Sequence, residues 1–148
     1  MLENQKFLGR GWSFPPTFSR KASPNGAVIA ELQMVEARED IEQSLDILLS
    51  TSLGERVMQP KYGCNLSDYQ FEPVNAAFVG RVRDLVSNAI LYYEPRIEVN
   101  QIEISTSGSQ DAIEGKVIIE IEYTIRSTNS RFNYVYDFYK NEASNIPF

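Results

Sequence analysis

Carboxylates are the residues of this chain with the widest scope for chemistry. The sequence holds 20 Asp and Glu, one cysteine and no histidine. Without histidine there is no common general base, no usual metal ligand and no nucleophile of the Ser/His or Cys/His kind. Cys64 therefore reads as a small core residue rather than a nucleophile. No loop has calcium-binding spacing, and Gly9-Arg10-Gly11 is too short for a phosphate loop, so neither a metal nor a cofactor is expected. What remains is glycoside hydrolysis, which needs only a pair of carboxylates. Glu55, Glu72 and Glu94, all near turns, are the candidates for that alternative. Each also has a plainer reading. Glu55 precedes Arg56 as a surface pair, Glu72 precedes Pro73 in a turn, and Glu94 is followed by Pro95 and Arg96. A neighbouring cation favours an ionised carboxylate, the reverse of what a general acid needs. No catalytic residue is assigned.

The Glu94-Pro95-Arg96 run lies where a helical pattern stops and a strand pattern begins. A carboxylate at a helix C-terminus meets the negative end of the macrodipole. Pro95 cannot extend the helix and biases Glu94 away from helical dihedrals. Arg96 then supplies a cation two residues on. The three residues predict a fixed ionic joint at a helix-to-strand corner, against the alternative of a helix stop with an ordinary surface pair.

Stepping outward, residues 1–25 read as an extended arm. They carry Phe7, Trp12, Phe14 and Phe18 without a period of 2 or 3.6, and Pro15-Pro16 stiffens the path. Disordered tails are poor in aromatics, so the arm either folds back on its own core or docks on another chain through Trp12 and Phe14. Residues 26–139 read as one domain and 140–148 as a short tail. A first strand is expected over Val28–Val35. Ile41, Leu45, Leu48 and Leu49 mark one face of a helix over Arg38–Thr51, with Glu39 and Asp40 in its first turn. A Pro- and Gly-bounded connection over Glu55–Cys64 has room for a short strand at Val57. A second helix, from about Asn75 to Tyr93, places Phe78, Val82, Leu85, Val86, Ala89, Ile90 and Tyr93 on one side. Ile97, Val99, Ile102 and Ile104 switch parity, which predicts a bulge near Asn100. Val117–Ile125 and Phe132–Phe138 alternate as a hairpin, the latter strand carrying Phe132, Tyr134, Tyr136 and Phe138.

The chain has 148 residues, enough to bury a core without staples, and favours a single domain. A net charge of -6 argues against nucleic acid and anionic membrane surfaces as partners. Met1–Arg10 lacks the apolar core of a signal peptide, and no stretch reaches the length of a membrane span. A soluble cytosolic protein, with no membrane insertion, is the expectation.

Several segments together resemble a known family: Phe7–Pro16, Glu39–Leu45, Leu48–Thr51 with Gly54–Met58, Tyr62-Gly63-Cys64, Phe71-Glu72-Pro73 and Glu94–Ile97. In this order they resemble the small baseplate wedge protein of contractile phage tails, with counterparts in type VI secretion and in extracellular contractile injection particles. The resemblance covers about Phe7–Phe138. It implies an α+β fold: a mixed, mainly antiparallel sheet with a C-terminal β-meander packed on two amphipathic helices. It implies structural work rather than the catalysis that the family's "lysozyme-like" label suggests. The implied partners are the larger baseplate wedge proteins and the sheath subunits of the first ring, with the central hub or inner tube as a further one. The wedge contact falls on Glu94, Pro95 and Arg96. The sheath contact falls on a sheet edge, for which Phe132, Tyr134, Tyr136 and Phe138 are candidates. Assembly in the bacterial cytoplasm follows, in a phage, a secretion system or a released particle. A generic scaffold outside any injection apparatus is the weaker alternative.

Overall fold

Residues 8–69, 72, 74–105 and 116–139 are described by a computed structural model. Phe7, Phe71, Pro73 and the 140–148 tail lie outside the described residues. The chain divides into two compact units, Met1–Ser44 and Leu45–Phe148. The division falls inside a helix.

In the first unit, part of the expected arm pairs with the expected first strand and the residues after it as an antiparallel ribbon. Strands β1 (Arg10–Trp12) and β2 (Phe18–Ala22) pair with β4 (Met34–Glu36) and β3 (Val28–Leu32) respectively. Ser13 N–H donates to Gln33 O at 3.0 Å and Gln33 N–H to Thr17 O at 2.9 Å, bridging the two ladders around the cis Phe14–Pro15 peptide. The first strand thus begins at Val28 as expected but breaks at Gln33. Helix α1 (Ala37–Ser50) follows, and Ile41, Leu45, Leu48 and Leu49 are all buried, as the periodicity predicts.

The second unit holds the meander. Helix α2 (Ala76–Tyr93) is capped by Asn75, whose side-chain oxygen accepts from Phe78 N–H at 2.9 Å. Of its expected apolar face, Phe78, Val82, Val86, Ala89 and Ile90 are buried, and Leu85 and Tyr93 are half-buried. Strands β5 (Ile97–Ser105), β6 (Lys116–Ile125) and β7 (Ser130–Tyr139) form an antiparallel sheet in the order β5-β6-β7. The register shifts between Val99 and Gln101, which is the bulge predicted at Asn100. Along β6, Val117, Ile119, Ile121, Tyr123 and Ile125 are buried while the residues between them are half-buried. Helix α2 lies against β5, and Tyr134 Oη reaches Asp46 Oδ1 at 3.3 Å, tying β7 to the second half of α1. The α+β class with a C-terminal meander is the class observed. No strand forms at Val57, where the chain makes turns instead.

Candidate functional site

The corner after α2 is built by a helix that ends under constraint. Glu94 N–H still donates to Ile90 O at 2.9 Å, but its backbone turns out at φ -129°, ψ 76°. The Glu94 side chain is 3% exposed, so an unpaired carboxylate here would be costly. Arg96 grips it in bidentate fashion, Nε to Oε1 at 2.6 Å and Nη2 to Oε2 at 2.8 Å. This geometry is the strong form of a carboxylate–guanidinium contact. Arg126 pins the corner in turn: its N–H donates to Arg96 O at 3.0 Å and its Nε to Ile97 O at 3.3 Å. The fixed joint, not the ordinary surface pair, is what the geometry contains.

A second element, unseen as functional in the sequence, packs beside it. Tyr62 meets Tyr93 edge-on at 5.1 Å, and the Arg56 guanidinium sits 4.2 Å over the Tyr62 ring. Tyr93 Oη donates to Lys61 O at 2.7 Å. Burial pushes the Tyr62 phenol above its ordinary range; Arg56 opposes that, and the negative charge of Glu94 adds to it. The 52–64 loop and the corner therefore share one electrostatic neighbourhood. Two tyrosines and an arginine spread over 38 residues carry no sequence signal of meeting in space.

The carboxylates open to hydrolysis are all engaged. Glu94 is held by Arg96, Glu72 by Arg81 at 2.6 Å, and Glu55 Oε2 accepts from Ser52 N–H at 2.9 Å. The expected Glu55–Arg56 pair is replaced by this capping contact and by the stacking of Arg56 on Tyr62. Cys64 is 2% exposed, and burial pushes its thiol up to about 12, which fits a core residue and not a nucleophile. Among the described residues no cluster of three or more Cys, Asp or Glu could hold a metal.

The other candidates lie apart. Trp12 and Phe14 belong to the first unit and are 67% and 56% exposed. On β7, Phe132, Tyr134 and Tyr136 are half-buried and Phe138 is buried, while Arg131, Asn133, Val135 and Asp137 face out. The aromatic side chains thus point inward, and what β7 can offer a partner is its backbone at the sheet margin and the outward row.

The model of the baseplate wedge protein gp25 family matches residues 35–130. The chain belongs to this family. The phage T4 baseplate wedge protein gp25 is 31% identical over 88 residues, 57% of this chain, and the match spans 61% of the T4 protein's length. Among solved structures, a candidate tail lysozyme from Geobacter sulfurreducens superposes with a TM-score of 0.65 at 44% identity, covering 71% of this chain and 92% of that one. A chain of the anti-feeding prophage baseplate gives 0.61 at 23% identity, covering 93% of this chain and 90% of its own. A chain of the type VI secretion baseplate gives 0.52 at 14%, covering 68% and 90%; these last two speak to fold alone. The family segment takes in the corner, α2 and most of the meander. Among the described residues no helix is long and apolar enough to cross a membrane.

Proposed function

We propose that this chain is a structural part of a contractile injection baseplate, assembled in the bacterial cytoplasm, and that it turns over no substrate. Membership of the wedge family over residues 35–130 is the observation that carries the reading. The Glu94–Arg96 corner is the contact for the larger wedge proteins. A rigid, internally paired joint keeps its shape as a partner covers it, and a partner that fails to meet the half-exposed arginine strands a charge. The margin of the meander at β7 is the contact for the first ring of sheath subunits, whose strands can extend the sheet by backbone hydrogen bonds. Trp12 and Phe14 on the β1–β4 ribbon are a further docking element. A two-stranded ribbon with exposed aromatics is marginal in water and gains from being covered. The central hub or inner tube is a further candidate partner.

Removing the chain from an otherwise intact apparatus tests this reading. Electron microscopy is expected to find inner tubes without attached sheath. Sheathed tubes on baseplates in normal numbers would sink the proposal.

The hydrolase reading draws on one observation, the name of the 44% identical Geobacter structure. Against it, each of Glu55, Glu72 and Glu94 is committed to an internal contact. Incubation of the purified chain with peptidoglycan is expected to release no soluble sugar fragments.

A further inference from the structure

Val57 and Met58 are the most exposed of the large apolar side chains described, at 94% and 87%. Single exposed apolar residues are ordinary on a protein surface. These two are unusual because the backbone that presents them is braced from several sides. They occupy the centre of a turn closed by Gln59 N–H donating to Arg56 O at 3.3 Å. A second turn follows, with Tyr62 N–H donating to Gln59 O at 3.1 Å. Gly54 N–H crosses the loop to Pro60 O at 2.8 Å, and Leu53 N–H is held by Asn65 Oδ1 at 2.9 Å. The base is closed by Cys64 N–H donating to Thr51 O at 2.8 Å. A loop ordered before binding loses little conformational entropy on binding, so its apolar tip returns more affinity per side chain.

The tip is continuous with the corner. Arg56, at its base, stacks on Tyr62; Tyr62 meets Tyr93 and feels the charge of Glu94. Methionine, tyrosine and arginine are the residues enriched where protein surfaces meet. The charges flanking the tip sum to +1: Glu55, Arg56 and Lys61 are all exposed, and Glu55 accepts from Ser52 N–H. On a chain of net charge -6 this is a local inversion.

We infer that Val57 and Met58 are the apolar anchor of the same docking surface as the Glu94–Arg96 corner, and that they enter an apolar pocket rimmed by carboxylates on a larger wedge protein. The inference rests on the proposed wedge contact for its partner. It adds a division of labour: the corner fixes register, and the loop tip supplies affinity. A second copy of this chain is the rival occupant.

The test measures binding of the full chain to the purified larger wedge proteins of the same apparatus, with light scattering of the chain alone beside it. Val57→Ser/Met58→Ser is expected to weaken binding about 100-fold or more, the order expected for losing two buried apolar side chains. Its melting temperature should stay unchanged, because neither side chain is packed. Arg56→Gln is expected to weaken binding a few-fold and to flatten its salt dependence. If Glu94→Ala and Arg96→Ala weaken binding and the serine pair stays within twofold of the parent, the anchor is refuted while the wedge contact stands. If the parent chain does not bind the wedge proteins at all, the wedge contact itself fails and the anchor with it. If the serine pair abolishes self-association and leaves wedge binding intact, the occupant is a second copy and the inference is overturned.

Discussion

Arg96 satisfies both oxygens of a carboxylate that sees almost no water, and the two partners are unequally placed. The Glu94 side chain is 3% exposed and that of Arg96 is 29%. Removing the arginine leaves a buried anion, whereas removing the glutamate leaves a cation that can turn to solvent. Arg96→Ala is therefore expected to cost about 2–4 kcal/mol, the lower part of the range for breaking a buried pair because Arg96 keeps some water. Glu94→Ala should cost less, about 1–2 kcal/mol. Urea unfolding at neutral pH measures both, and equal costs or the reverse order would contradict the asymmetry. Cys64 gives a second residue-level expectation. Burial pushes its thiol from an ordinary 9.0 up to about 12 on folding. The folded pKa is raised, so the stabilising contribution is whole below pH 9 and is lost as pH climbs toward 12. Within that window the unfolded chain has released a proton that the folded chain retains, so stability falls by up to about 1.4 kcal/mol per pH unit. Tyr62, raised also, adds the same sign from its own starting value of 10.0 upward. Cys64→Ala should lower the whole stability curve by leaving a cavity, yet flatten its slope between pH 9 and pH 10. An unchanged slope would rule out the thiol as its source.

Elements with a strong period were legible in the sequence, and elements held by hydrogen bonds between distant irregular segments were not. Helix α2 and strand β6 each declare themselves because one face is buried along most of the element, as at Phe78, Val82 and Val86 or at Val117, Ile119 and Ile121. Asn100 was legible as a bulge because a one-residue insertion flips the parity of every later side chain. The ribbon at Arg10–Glu36 was not, because most of its residues are exposed and nothing selects a buried face. Its pairing is set by backbone bonds at Ser13 and Gln33, which leave no periodic mark. The Glu94–Arg96 pair could be read because its partners lie only two residues apart in sequence. The loop over 52–64 could not, since its order comes from bonds such as Gly54 to Pro60 and Leu53 to Asn65 that depend on backbone geometry. The aromatics of β7 were legible as an alternating row and as the core face of the hairpin, the side that is half-buried to buried in the structure.

At the scale of the whole molecule, the corner has to be separated into its work within the chain and its work on a partner. A single substitution cannot do this, because Arg96→Ala lowers stability and removes a docking group together. Replacing a buried ion pair by well-packed apolar residues of similar size is often neutral or stabilising. Glu94→Leu/Arg96→Met is therefore expected to recover most of the stability lost in Arg96→Ala, because no buried charge remains unpaired. It presents no guanidinium to a partner, and it should leave the 52–64 loop braced by backbone bonds that involve neither residue. If the corner fixes register in the baseplate, this variant will unfold near the parent's midpoint yet yield few sheathed particles by electron microscopy. Soluble accumulation measured in the same cells excludes degradation as the cause. A double variant that is stable and also restores particle yield would mean that the pair serves only to end α2 and turn the chain into β5, leaving the wedge contact to other residues.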